Sequence, residues 1–97
     1  YFYTAAHPVF GDWLKQDSAS YSLRMQLDYS AWDRPTGGCD NASFALCNIP
    51  IIWYHTDGHP DYHQPSDHTD RLNWEKMIEI TKAAFLNAWN LANENKY

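Results

Sequence analysis

The sequence predicts an α/β layer fold with a mostly parallel sheet and flanking helices. Residues 49–55 are nearly all apolar and rich in β-forming side chains, as in a strand that is covered on both faces. Leu23, Met25 and Leu27 alternate with polar residues, which indicates a strand with one buried face. A long helical pattern follows Asn73, which is suited to cap it. Strands and helices that alternate in this way favour parallel strand pairing.

The remaining elements follow from local signals. Residues 2–6 predict a first strand, and Pro8 suits the start of a short helix in which Phe10, Trp13 and Leu14 recur at one-turn spacing. Residues 33–38 contain a proline and two glycines, which predicts a loop. Asn41 can cap a short helix over residues 42–47. Residues 56–70 are polar and rich in turn-forming residues, so we expect a long loop before the last helix.

The last helix carries one continuous stripe of mostly apolar residues. Its members are Trp74, Met77, Ile78, Thr81, Phe85, Ala88, Trp89 and Ala92. Glu75, Glu79, Lys82 and Asn87 mostly lie elsewhere on the helix.

Composition excludes two classes of partner. The net charge is −5 and no two basic residues are adjacent, so we expect no nucleic acid, because phosphate binding needs a clustered basic surface. The longest apolar run, residues 49–54, is too short for a bilayer and contains a proline, so we expect no membrane anchor. With 44% apolar residues the chain should form a packed core.

Two features of the chain suggest its context. Cys39 and Cys47 lack the paired spacing of a zinc–thiolate site, and we interpret them as partly buried thiols rather than a disulfide. Residues 1–6 already read as a buried strand, so we interpret the 97 residues as a piece of a longer domain. A lone half-sheet would expose strand edges, so a homo-oligomer formed through such an edge is possible.

Three histidines, His55, His59 and His63, are spaced four residues apart, which on a helix would align them for zinc. A glycine and two prolines in the same stretch oppose a helix, so we reject that arrangement. A zinc site held by a folded-back loop stays open as an alternative. We interpret His59 and His68 as solvated loop residues, and leave His55, at the predicted strand end, undecided.

An ordered set of short motifs is more specific. Residues 39–44 read Cys-Asp-Asn-Ala-Ser-Phe, Ile49-Pro50 opens the apolar strand, and Tyr62-His63 is followed four residues later by Asp67. Together with the terminal helix, this set resembles the late part of the M28 metallopeptidase family. That family includes secreted bacterial aminopeptidases and is related to glutamate carboxypeptidase and glutaminyl cyclase. The resemblance runs in order through residues 21–92.

The resemblance implies a partial zinc-exopeptidase (phosphorylase/hydrolase-like) fold. In it, residues 1–97 are a single C-terminal segment of a zinc-peptidase catalytic domain. The full-length parent would hold two zinc ions, and His63 matches the last of their ligands. The other ligands and the catalytic glutamate would come from polypeptide outside these residues. The chain on its own would therefore be inactive, and it is open whether it binds zinc at all.

The same matching implies roles for other residues. Tyr62 resembles the tyrosine that donates a hydrogen bond to the developing oxyanion, although a tyrosine packed on the loop is an alternative. Asp67 resembles a residue that braces the loop, or is an ordinary turn residue. Asp40 occupies the family's acidic position near the pocket. Cys39 and Asn41 depart from the usual serine or aspartate and the usual histidine.

The function implied by the resemblance is hydrolysis of N-terminal peptide bonds by a zinc-dependent aminopeptidase, in an extracellular or periplasmic setting. Two alternatives remain open. One is a non-catalytic interaction domain of the same superfamily. The other is a glutaminyl-cyclase-like transferase with one zinc ion, in which a tryptophan tends to stand where this sequence has Tyr62.

Overall fold

The computed structural model describes residues 1–32 and 39–94 of the chain. The strands in these ranges are β1 (Phe2–Thr4), β2 (Ser30–Trp32) and β3 (Ile52–Trp53). The helices are α1 (Val9–Ser20), α2 (Asn41–Leu46) and α3 (Trp74–Asn93), with a 3₁₀ turn at Thr69–Arg71 before α3. None of the helices in the described ranges is long and apolar enough to cross a membrane. The predicted loop at residues 33–38 lies outside the described residues.

The sheet is mixed, and the prediction of a mostly parallel sheet is wrong. In the described residues the strand order is β2-β1-β3, with β1 parallel to β2 and antiparallel to β3. Two hydrogen bonds fix the direction of the third strand: the Thr4 amide donates to the Ile51 carbonyl at 3.2 Å, and the Ile51 amide donates to the Thr4 hydroxyl oxygen at 2.8 Å. The apolar segment therefore returns beside β1 instead of continuing a parallel layer, so the phosphorylase/hydrolase-like sheet does not form here.

The predicted strand at residues 23–27 forms no sheet ladder, and β2 begins only at Ser30. Its burial nevertheless alternates: Leu23 is buried, Met25 and Leu27 pack partly buried against the core, and the polar residues between them are exposed. The amide of Arg24 donates to the Glu79 carboxylate at 2.7 Å. An α3 side chain thus supplies a partner that a neighbouring strand would otherwise provide.

Helix α1 links the parallel pair β1 and β2 and lies close to β1. A Cβ added at Gly11 would stand 2.9 Å from the ring of Tyr3, so the close approach depends on glycine at this position. Phe10 and Leu14 are buried beneath the helix. The central cluster of buried residues consists of Tyr1, Leu14, Leu23 and Ala83, and the partly buried residues packed against it are Tyr3, Met25, Leu27, Tyr29, Ile52, Tyr54 and Leu86.

Helix α3 begins after Asn73 as predicted, because the Asn73 side chain accepts a hydrogen bond from the Lys76 amide. Its orientation is unusual for an amphipathic helix. Glu79 and Asn87 are each only 3% exposed, whereas the apolar residues Phe85 and Trp89 are 62% and 58% exposed. The predicted stripe is therefore on the exposed side of the helix, opposite the buried polar residues. We call it the apolar stripe, defined by Trp74, Met77, Ile78, Thr81, Phe85, Ala88, Trp89 and Ala92.

Hydrogen bonds explain why the polar face of α3 is the buried one. The Asn87 side-chain oxygen accepts a bond from the Tyr1 hydroxyl at 3.0 Å, and its amide nitrogen donates to the Tyr54 hydroxyl oxygen at 2.6 Å. Burial raises the pKa of both tyrosines above their ordinary value, so these hydroxyls stay protonated. One turn later, Asn90 donates to the Asp17 carboxylate of α1 at 2.7 Å. The polar groups that α3 buries at Asn87 and Glu79 are thus paired, as burial requires.

We expect Asn87→Ala to lower the free energy of unfolding by about 2–3 kcal/mol, because each buried polar group that loses its partner costs about 1–3 kcal/mol. Urea unfolding followed by circular dichroism measures this loss. Asn93→Ala is the matched control on the same helix, since Asn93 is exposed and its side-chain amide donates to the Trp89 carbonyl within its own helix. Equal losses in the two variants would contradict the anchoring role of Asn87.

We also expect the stability of the chain to depend on Glu79 in acid. The hydrogen bond from the Lys82 ammonium, at 2.6 Å, lowers the pKa of Glu79 below its ordinary 4.5. The hydrogen bond from the Arg24 amide lowers this pKa further. A carboxyl whose pKa is lower in the folded state than in the unfolded state stabilises the folded state. This contribution is complete above the unfolded-state pKa and is lost as the pH falls through the folded-state pKa. Below about pH 4.5, the free energy of unfolding should therefore fall more steeply in the parent than in Glu79→Gln. Glu75→Gln, at an exposed position of the same helix, should keep the parent slope.

Candidate functional site

The loop between β3 and α3 is built from successive turns. The Tyr62 amide donates to the His59 carbonyl at 3.0 Å, the Gln64 amide to the Asp61 carbonyl at 2.9 Å, and the Asp67 amide to the Gln64 carbonyl at 3.0 Å. Residues 54–68 contain no helix, as the prolines of this stretch predict. The loop is thus shaped by its own backbone rather than by a regular element.

His63 occupies a strained position in this loop. Its φ of 57° lies in the left-handed region, which is uncommon for residues other than glycine. Its ring is exposed and stacks on Tyr62, with ring centroids 4.0 Å apart and an interplanar angle of 16°. The His59 ring meets the Tyr62 ring edge-on, with ring centroids 5.9 Å apart. Backbone strain of this kind persists only where the surroundings enforce it, and it clusters at functional positions.

A side-chain bond closes the loop on itself. The Ser66 hydroxyl donates to an Asp61 carboxylate oxygen at 2.7 Å, which ties the two ends of the turn that carries Tyr62 and His63. Asp61 is partly buried, whereas Asp67 is exposed at the end of the same turn. The side chains that close this turn are thus those of Ser66 and Asp61, and Asp67 takes part through its backbone amide.

A cavity of about 630 Å³ lies between this loop and the first half of α3. The loop contributes His59, Asp61 and Asp67, whereas the helix contributes the apolar side chains of Met77 and Ile80. Arg71 and Lys76 add positive charge to a lining that also contains the two aspartates. Tyr62 and His63 are exposed and do not line this cavity.

A larger cavity of about 810 Å³ lies between residues 24–28 and the start of α3. Its lining mixes charges of both signs, among them Arg24, Asp28 and Glu79. His55 also lines it, and its Nδ1 accepts a hydrogen bond from the Asp57 amide at 3.0 Å. The sequence gives little indication of this cavity. Its one sign there is the alternation of polar residues along residues 24–28.

The described residues do not form a zinc site by themselves. Among residues 1–32 and 39–94, no group of three or more histidines, cysteines, aspartates or glutamates is placed to hold a metal ion. Protein zinc sites need three or four protein ligands, so His63 would be a single donor. The alternative of a zinc site built from His55, His59 and His63 in a folded-back loop is therefore not supported.

The model of peptidase family M28 matches residues 1–88. The chain belongs to this family. The match extends from β1 through most of α3 and includes the turn that carries Tyr62 and His63. It supports a relationship to metallopeptidases. Comparison with curated proteins and with solved structures gave no match.

In this M28 chain, the acidic residue that the resemblance implies near the pocket is Asp40. Asp40 directly precedes α2, is exposed and lines neither of the two cavities, so the structure does not bring it to the loop cavity. The side-chain oxygen of Asn41 is buried without a hydrogen-bond partner in the described residues. Cys39 and Cys47 are both free and exposed, so the prediction that they are partly buried is wrong. The physical reason is that α2 buries none of its residues.

Proposed function

We propose that this M28 chain is the C-terminal segment of the catalytic domain of a zinc-dependent aminopeptidase and that His63 supplies one of its metal ligands. The observation that carries the proposal is the position of Tyr62-His63 and Asp67 on one self-closed turn, inside the family match. Zinc prefers neutral imidazole nitrogen among protein ligands, and an exposed ring is accessible to a metal held partly by other residues.

The turn supports this role through rigidity. Stacking on Tyr62 and the left-handed backbone restrict the direction of the His63 ring, and the bond between Ser66 and Asp61 holds the turn closed. A ligand held in place before the metal binds loses less conformational freedom on binding. His63 therefore suits a site whose other donors lie on other segments.

The neighbours of His63 would assist it in different ways. Tyr62 is 53% exposed, and its hydroxyl, as an O–H donor beside the metal, would stabilise negative charge on a substrate oxygen. Asp67 would brace the turn, since its amide already closes the last hydrogen bond there. Asp40 would lie near the pocket only if polypeptide outside these residues brings α2 toward it.

A non-catalytic interaction domain of the same family is the second candidate. Two observations favour it: the described residues hold no cluster of three or more metal-binding side chains, and α3 exposes a long apolar stripe. The residues encoded next to this segment decide between the two. An early histidine and aspartate, a pair of glutamates and a later aspartate would support the peptidase, and their absence would support the interaction domain.

The 97-residue chain alone should show no zinc-dependent hydrolysis of an aminoacyl p-nitroanilide, because one imidazole cannot hold catalytic zinc. A closed structural zinc site binds its ion with a free energy of about 10–16 kcal/mol. Because a single imidazole is not such a site, we expect dialysis to remove any zinc bound here. Absorbance assays with added zinc, and metal analysis after dialysis, test both statements. Metal-dependent turnover by this chain would rule out the proposed division of ligands.

In a longer protein that contains these residues and is active, His63→Ala should lower kcat/KM more than about a hundredfold, since losing even a supporting partner of a metal ligand costs about 10–100-fold. The zinc content per chain should fall with it. His68→Ala is the matched control, because His68 is an exposed histidine of the same loop that the motif does not assign to the metal. Unchanged zinc content in His63→Ala would remove His63 from the metal site.

A further inference from the structure

The turn of residues 61–66 is closed by a pair of side chains to which the resemblance gives no role. The Ser66 hydroxyl donates to Asp61 Oδ1 at 2.7 Å, so the bond encloses the residues between them. Each bonded residue directly follows a proline, Pro60 or Pro65, whose fixed φ limits the directions that the chain can take there. A hydrogen bond to a carboxylate is also stronger than one between neutral groups. The pair is therefore suited to hold the turn in one conformation.

The backbone that this bond encloses is in an uncommon conformation. His63 has a φ of 57°, in the left-handed region, which is unfavourable for a residue with a Cβ and persists where the surroundings enforce it. Two hydrogen bonds span this part of the turn. Asp61 accepts both of them, one through its carbonyl from the Gln64 amide at 2.9 Å and one through its carboxylate from Ser66. The bonds that enforce the turn around His63 therefore meet at Asp61.

The stacking of Tyr62 and His63 depends on the same backbone. Neighbouring side chains point to opposite faces of a strand and about 100° apart around a helix, so their rings do not ordinarily lie face to face. Here the ring centroids are 4.0 Å apart and the planes differ by 16°. Such a stack requires the chain to leave the ordinary conformations between the two rings, as it does at His63. The stack is thus a sign of the backbone conformation that the side-chain bond encloses.

We infer that Asp61 and Ser66 are positioning residues for His63: the bond between their side chains holds the left-handed backbone at His63 and so sets the direction of its ring. The inference rests on the proposed function in one respect, because the direction matters for a ring that binds a metal ion. The resemblance implies Asp67 as the residue that braces the loop, but the structure shows Asp67 bonded through its backbone amide. The bond from Ser66 to Asp61 needs no residue outside the turn.

The first test follows the His63 ring by NMR of labelled histidine, in the metal-free form of a longer protein that contains these residues. In the parent, the ring current of Tyr62 should shift the carbon-bound ring protons of His63 to lower frequency, and Tyr62→Leu gives the size of this shift. Ser66→Ala should remove most of the shift, because the stack is lost with the bond. Ser66→Thr keeps the hydroxyl and should retain the shift. Ser20→Ala, which removes an exposed hydroxyl from α1, is the matched control.

The second test measures the zinc dissociation constant by competition with a chelator. Ser66→Ala and Asp61→Ala should each raise it about tenfold, at the lower end of the about 10–100-fold range for residues that orient a metal ligand. The double variant should show no larger rise than either single variant, because both remove the same bond. Ser66→Thr should keep the parent value. Where circular dichroism shows that Asp61→Ala does not fold, the comparison of Ser66→Ala with Ser66→Thr decides.

Three results would overturn the inference. They are an unchanged His63 shift in Ser66→Ala, additive effects of the two single variants on zinc binding, and a lost shift without a change in zinc binding when His63→Ala does lose zinc. Failure of the proposed function is distinguishable, since zinc content would then be unchanged in His63→Ala. In that case the NMR result alone decides whether the bond sets the direction of the ring.

Discussion

The hydrogen bonds of Asn87 are the interaction on which the rest of the structure depends. They join α3 to Tyr1 beside the first strand and to Tyr54 just after the last one, with donor–acceptor distances of 3.0 and 2.6 Å. A buried amide without partners is costly, so the side of α3 that carries Asn87 must face these two hydroxyls. Glu79 adds the same constraint two turns earlier, because its carboxylate accepts a bond from the Arg24 amide. Together they fix the rotation of the helix about its axis.

This rotation sets the surroundings of the candidate site. The start of α3 is brought beside residues 24–28 on one side and beside the loop on the other, and a cavity lies at each contact. The loop then needs little support from the core, because its turns and the bond from Ser66 to Asp61 hold it together. His63 is thus carried on a turn at the surface, where its ring is exposed, as the proposed role of a metal ligand shared with other segments requires.

Local chemistry in the sequence predicts the helices better than the sheet. The side chain of Asn73 caps α3 where expected, and the apolar spacing locates α1 and the stripe. The mixed sheet is not predictable from these patterns, because the direction of β3 follows from hydrogen bonds between Thr4 and Ile51, which are remote in sequence. Periodicity likewise identifies the stripe but not what faces it. At the site, the ordered motif locates His63, whereas its strained backbone and its stacking on Tyr62 come only from the structure.

The apolar stripe and the loop that carries His63 meet at two residues. Met77 and Thr81 lie in the stripe and also line the 630 Å³ cavity beside the loop. Any polypeptide that covers the stripe at these two residues would also border this cavity. His63 does not line the cavity, so under the proposed function a metal ion bound by its ring would lie outside it.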